Sequence, residues 1–345
     1  MQNFKLGVIT HIVGHLPNKE RCLLDVAAKI PITDKEAQKI IKTTGFSHIR
    51  EAGIETSKDL CLSAAKKIIS KLSHDEINDI DVVLFVSQSR DYIMPQTSCI
   101  IQHELGLKTN LVCKDIPLGC SGYIFGLMEA LMFLNTGMKS VLLLAGDTST
   151  KLISPYDKSV KMVFGDGGSA TLIKSIKSKY PVSFDYGTDG KGFKELIINS
   201  GGMRNPCNKN TAKVIEYESG VIRSDNDLFM NGLSIMNFAI KRVPNSIKIL
   251  TGRLKGKINR YYLHQANKFM INYLVKKSKI DISMVPFTAN KIGNTGPASI
   301  PIAICIDMKN NVKPKQAILS GFGVGLSWAS CNLDLTQIKY SSINL

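Results

Sequence analysis

The chain has 345 residues, 44% of them hydrophobic and 21% charged, with a formal net charge of +16. This size suits one large domain or two modest ones, and the mix excludes a disordered chain. The basic residues are mostly lysines spread along the sequence, with no arginine-rich block and no interleaved aromatics. That pattern speaks against nucleic-acid binding and leaves a Lys-rich solvated surface or a basic face for an acidic partner.

The N-terminal apolar run, Leu6–Thr10, is too short for a secretory signal. Leu6–Ile9 reads as a first strand. Thr56 and Ser57 can cap a helix that runs to about Leu72. Val82–Ser87 reads as a buried strand, and Pro95 as the opening residue of a helix through Leu105. A strand at Leu111–Ile116, a helix from about Ser121 to Asn135 and a strand at Ser140–Ala145 follow. The longest apolar runs, Val82–Val86 and Val141–Ala145, fall far below the roughly 18 residues of a membrane helix. A soluble, cytoplasmic protein is expected.

The second half has a similar order. Asn259–Leu263 is a strand, Asn267–Lys277 a helix, and a helix from about Ala298 to Met308 follows a glycine loop. Ala317–Ser320 and Trp328–Leu333 are strands around a glycine turn. Alternating strands and helices give an α/β fold, and the parallel order of the halves suggests duplication without any residue-level repeat. The expected halves are 1–176 and 177–345, with a loop-rich insertion near Tyr180–Asn226. The eight cysteines form no C-x-x-C pair or His/Cys cluster, so neither zinc nor a disulfide framework is expected.

Three segments carry chemistry. In Pro117-Leu-Gly-Cys-Ser-Gly122, Cys120 falls at a helix start, where backbone N–H groups and the helix dipole favour a thiolate. In Tyr261-Tyr-Leu-His-Gln-Ala-Asn267, His264 ends an apolar strand, where side chains point into clefts. In Asn290-Lys-Ile-Gly-Asn-Thr-Gly-Pro-Ala298, Asn294 lies in a glycine turn. Taken singly, these are also the patterns of a structural cysteine, a satisfied core histidine and a helix-capping asparagine. Gathered by one fold, they offer a thiol nucleophile and two neutral N–H donors for an oxyanion at a thioester carbonyl.

All three segments resemble those of β-ketoacyl-ACP synthase III, in the thiolase-fold superfamily. So do Phe164-Gly-Asp-Gly-Gly168 and Gly321-Phe-Gly-Val-Gly-Leu-Ser-Trp328, and the matching segments run in order from residue 6 to about 334. The resemblance implies a five-layered αβαβα duplication working as a homodimer in fatty acid or related lipid biosynthesis. In this reading Cys120 accepts an acyl group from acyl-CoA or acyl-ACP. His264 and Asn294 then hold the oxygen of a malonyl thioester while carbon dioxide leaves. The enolate attacks the acyl group, with the backbone N–H groups of Cys120 and Val324 as the second oxyanion hole. Phe322 sits beside the nucleophile, Met94 reaches across the dimer to the partner's acyl pocket, and Lys268, Lys276 and Lys277 dock the acyl carrier protein. No metal or prosthetic group is implied.

The sequence departs from that family's pattern at several points. Lys39 and Thr43 stand where a Trp and an Arg usually contact coenzyme A, and Phe269 stands where a docking Arg is usual. These changes suggest an unusual or longer acyl group, loaded from a carrier protein in a specialised pathway. A thiolase would need a second cysteine in Gly321-Phe-Gly-Val-Gly325, and hydroxymethylglutaryl-CoA synthase a Glu near Ser87-Gln-Ser89; neither is present. An acyltransferase passing the group from Cys120 to an alcohol or amine is the remaining alternative.

Overall fold

The computed structural model describes residues 3–217, 220–254 and 256–345. Nine strands form one connected sheet: β1 (Asn3–His15), β2 (Ile80–Val86), β3 (Val112–Ile116), β4 (Ser140–Asp147), β5 (Gly167–Thr188), β6 (Arg260–Leu263), β7 (Ala317–Gly323), β8 (Ser327–Leu333) and β9 (Tyr340–Ile343). The order is β6-β7-β8-β5-β4-β2-β3, with β1 paired to both β5 and β9. The 22-residue β5 links two parts of this sheet. Its residues 167–174 pair with β4, and its residues 184–188 with β8.

Helices α1 (Asp34–Thr44), α2 (Ser57–Ile69), α3 (Thr97–Glu104), α4 (Gly122–Leu134), α5 (Gly232–Thr251), α6 (Lys268–Ser278) and α7 (Ser299–Lys309) complete the layers. The apolar runs explain the layering. In β2, Val82, Leu84 and Val86 face a central core shared with α4 and α7, while Val83 and Phe85 face an outer core under α2. Strands covered on both faces read as unbroken hydrophobic runs. Helix α4 is apolar on nearly every side because it packs on β2 and β4 on one side and on β7 and β8 on the other. Helices α5 and α6 pack on each other, and α5 covers β7 and β8. The result is a thiolase-like αβαβα sandwich.

One expectation needs correction. The helix near Pro95 starts at Thr97; its first N–H groups, those of Thr97 and Ser98, donate to the Asp115 carboxylate at 2.8 Å each, so the acid and not the proline sets the start. Strand β5 continues through Pro181 to Thr188. The boundary drawn at 176/177 therefore falls inside a strand. Among the described residues, no helix is long and apolar enough to cross a membrane.

Candidate active site

The chain leaves β3 at Ile116 and turns through residues 117–121 into α4. Cys120, only 8% exposed, sits on that turn. The glycines at the end of β7 let the turn lie against them. A Cβ on Gly323 would stand 2.8 Å from Cys120 Cβ and 3.0 Å from its sulfur. The hydroxyls of Ser121 and Ser327 meet at 2.7 Å, and Ser327 donates to the Val324 carbonyl at 2.8 Å, which ties the 324–327 loop to the Cys120 turn. The backbone N–H groups of Cys120 and Val324 both donate toward the thiol.

A lowered thiol pKa, expected from the helix start, is not the net result. Burial pushes Cys120 up to about 12, the Asp147 charge adds to this, and the two N–H groups pull the other way. Desolvation of a buried sulfur outweighs the donors.

His264 follows β6 directly, and its N–H extends the ladder to the Ser320 carbonyl at 2.9 Å. It is 1% exposed, and burial lowers its pKa to about 3, so the imidazole is neutral. Its Nδ1 lies 2.7 Å from Ser299 Oγ, which accepts from the Gln265 N–H at 3.4 Å. With Ser299 donating to Nδ1, the His264 proton sits on Nε2. The Phe322 ring meets the imidazole edge-on with centroids 5.5 Å apart.

Asn294 is held by Phe164-Gly-Asp-Gly-Gly168. The Asn294 N–H donates to the Val163 carbonyl and the Gly165 N–H to the Asn294 carbonyl, both at 3.0 Å. The Gly296 N–H donates to Asn294 Oδ1 at 3.0 Å, which orients the amide and leaves Nδ2 as a donor. Asp166 of the same motif accepts from the Ala52 and Thr150 N–H groups, so the motif is scaffold for the Asn294 turn.

Cys120, His264, Asn294 and Phe322 line one small pocket of about 70 Å³. Cys120 and Val324 also line a larger cavity of about 410 Å³. Lys39 and Thr43 border an outer groove of about 540 Å³ with Glu36 and Lys158; the groove shares Val163 with the small pocket. Lys268 opens α6 beside Gly45, whereas Lys276 and Lys277 lie in its last turn, all three exposed. Met94 lines none of these spaces and is 83% exposed.

Sequence reasoning missed Ser299 and Asp147. Asp147 ends β4 in the wall of the larger cavity. Its Oδ1 accepts from Ser87 Oγ, Gln88 N–H, Ser89 N–H and Ser89 Oγ at 2.8–3.1 Å. Burial still raises its pKa to about 6. The available signal was an acid closing the wholly apolar run Val141–Ala145. Among the described residues, no cluster of three or more His, Cys, Asp or Glu could hold a metal ion.

The family description "3-Oxoacyl-[acyl-carrier-protein (ACP)] synthase III" matches residues 114–190, and its C-terminal counterpart matches residues 251–335. The β-ketoacyl-[acyl-carrier-protein] synthase III of Caldanaerobacter subterraneus is 31% identical, over 92% of this chain and 94% of that protein. A crystal structure of a 3-oxoacyl-(acyl-carrier-protein) synthase III superposes with a TM-score of 0.90 at 36% identity, covering 95% of this chain and 99% of that one. The 3-oxoacyl-(acyl-carrier protein) synthase of Burkholderia xenovorans gives 0.88 at 32% identity, with 99% and 98% covered. The chain belongs to the 3-oxoacyl-[acyl-carrier-protein] synthase III family of thiolase-fold condensing enzymes.

Proposed function

We propose that this chain catalyses a decarboxylative Claisen condensation: an acyl group is loaded on Cys120 from an acyl-CoA or acyl-ACP thioester, then joined to malonyl-ACP or a similar malonyl thioester. The observation that carries this reading is one pocket lined by a thiol and two neutral side chains, His264 with its proton on Nε2 and Asn294 with Nδ2 uncommitted.

In the first half-reaction the Cys120 sulfur attacks the donor carbonyl. The oxyanion meets the N–H groups of Cys120 and Val324, and the donor thiol leaves with the proton that the cysteine loses. In the second, the malonyl thioester oxygen sits between His264 Nε2–H and Asn294 Nδ2–H. These donors stabilise the enolate as carbon dioxide departs. The enolate carbon attacks the Cys120 thioester, the sulfur is expelled and takes up a proton, and a β-ketoacyl thioester is released. A neutral histidine suits this role, because an enolate needs a donor and an imidazolium would be costly to hold in so buried a place.

The same reading includes a nucleophile-bearing N-terminal half, a C-terminal half carrying His264 and Asn294, and a cytoplasmic enzyme with no prosthetic group. It includes a homodimer in which the exposed apolar tip Tyr92-Ile93-Met94 lies against the other subunit's acyl pocket, with Lys268, Lys276 and Lys277 meeting the acidic carrier protein. Exposure of three consecutive large apolar side chains, 59–83% each, supports the dimer contact. The test is release of carbon dioxide from a malonyl thioester together with a β-ketoacyl product. Acyl transfer to an alcohol or amine without carbon dioxide release would overturn the reading.

A further inference from the structure

Acyl loading strips a proton from the Cys120 thiol, and the site offers that proton few destinations. Two spaces open onto Cys120. Among the described residues their walls carry two other titratable side chains, His264 in the small pocket and Asp147 in the larger cavity. His264 is not an acceptor: with Ser299 donating to Nδ1 and a proton on Nε2, the neutral ring has no lone pair to offer, and burial opposes the imidazolium. Asp147 differs. Its Oδ1 is engaged by four donors from Ser87, Gln88 and Ser89, whereas its Oδ2 accepts from no donor among the described residues. That second oxygen lies against Gly296 of the cavity wall, where a Cβ would come within 3.0 Å of it, so the glycine leaves it uncovered.

Contacts on both sides tie this carboxyl to the Cys120 turn. Gln88, whose N–H donates to Oδ1, sets its side-chain oxygen 2.5 Å from where a Cβ on Gly119 would stand. Pro297, next to Gly296, lies 3.9 Å from where a Cβ on Gly122 would stand, at the start of α4. The titratable groups facing Asp147 are Cys120 and, behind Gly146, the buried Cys61 of α2; its charge raises the pKa of both thiols. The other residues packed on it, Ser87–Ser89 after β2, Gly167 of β5 and Gly296, are uncharged. Ionising Cys120 to solvent would set a second negative charge beside the Asp147 carboxylate in a buried site. Passing the thiol proton to Oδ2 keeps the charge at one and moves it to sulfur, where the Cys120 and Val324 N–H groups donate. Raised to about 6, Asp147 is ionised at neutral pH and more basic than an ordinary carboxylate.

We propose that Asp147 is the general base of the loading step. Its Oδ2 takes the Cys120 proton, directly or through one water, as the sulfur–acyl bond forms, and returns it to the donor sulfur as the acyl–donor bond breaks. Protons and charge balance with no other reactant. The proposal rests on Cys120 as the acylated residue. The experiment is single-turnover loading of the full-length chain, read by intact mass from pH 5 to 9, for wild type, Asp147→Asn and Cys120→Ala. Acetyl, hexanoyl and decanoyl thioesters of coenzyme A and of carrier protein are tried, and the fastest donor for wild type is kept. Wild-type loading should rise to a plateau above about pH 7, with its midpoint near 6. Asp147→Asn should load about 10²–10⁴-fold more slowly at pH 7. Its rate should climb about tenfold per pH unit, because its thiol must ionise to solvent. A carboxylate that acts on Cys120 through its charge alone predicts the opposite sign, since removing it eases thiol ionisation. Loading by Asp147→Asn at or above the wild-type rate at pH 7 therefore overturns the proposal. So does a slowed variant that keeps the wild-type plateau, the mark of a merely structural loss. A wild-type rate that climbs about tenfold per unit from pH 7 to 9 overturns it without any variant. Absence of labelling by every donor, or labelling that persists in Cys120→Ala, removes the reading of the site and this proposal with it.

Discussion

The corner that holds Cys120, His264 and Asn294 and the wall of the larger cavity meet at Cys120 but come from different parts of the chain. The corner is assembled from strand ends and the starts of the two central helices: Cys120 before α4, His264 after β6, Asn294 and Ser299 at the approach to α7. Each of these is fixed by backbone ladders or by buried hydroxyl contacts. The cavity wall includes two short paired strands, Leu196–Ile198 and Leu228–Met230, that bracket a long connection. Core elements of this kind tolerate little displacement, whereas a peripheral hairpin can change its side chains without moving the reacting groups. The difference teaches that the corner and the cavity wall can be altered separately.

The largest expected effects lie in the corner. His264→Ala or Asn294→Ala should slow condensation about 10²–10³-fold, the scale of one lost oxyanion donor, while acyl loading on Cys120 proceeds. The loss should be the same for every chain length. A loss that depends on length would break the separation. Steady-state condensation beside single-turnover loading reads both steps.

Ser299→Ala removes the hydroxyl that fixes the imidazole tautomer. Condensation should fall about tenfold, the scale of one neutral hydrogen bond, with little change in the malonyl KM. An unchanged kcat would show that the imidazole is held in place without it.

Asp147 stands on the border of the two regions and gives a stability prediction. Its carboxyl, raised from 3.8 to about 6, holds its proton more tightly folded than unfolded. Its contribution to stability therefore falls as pH rises from about 4 to 6 and stays low above that. Asp147→Asn keeps an oxygen for the Ser87–Ser89 donors and removes the buried charge. The variant should gain on the order of 1–3 kcal/mol over wild type at pH 8, and the gain should vanish at pH 4. Denaturant unfolding at the two pH values checks it, and equal differences at both would contradict the assignment.

The smallest effect is expected farthest out. Lys277→Glu should raise KM for carrier-bound substrates severalfold at low salt, with the difference shrinking as ionic strength rises. Coenzyme A thioesters should be affected much less.

Much of the fold was legible because doubly covered strands announce themselves. Val82–Val86 and Val141–Ala145 read as strands, and the helix start at Thr56 follows from its capping box with Asp59. The second half of β5 was hidden by Pro181 and by the lysines and serines of Ser175–Lys179. Helix α5 was hidden because Pro244 lies inside it, a residue that ordinarily ends a helical pattern. The site shows the same divide. Cys120, His264 and Asn294 lie at strand and helix ends, the first and last beside glycines, and the sequence carries that pattern. Ser299 looks like any helix-start serine and Asp147 like any strand-end acid; only the packed fold places Ser299 against His264 and Asp147 beside Cys120. The net thiol pKa was misjudged because a local motif shows the dipole and not the burial.

The most direct test of the central claim is a single-turnover chase. The enzyme is first loaded with one acyl group, located at Cys120 by peptide mapping, and then mixed with a malonyl thioester. The account predicts that the acyl mass leaves Cys120 while carbon dioxide and a β-ketoacyl thioester form in equal amounts. Release of the free acid without a new carbon–carbon bond, or an acyl mass mapped to any other residue, would contradict it.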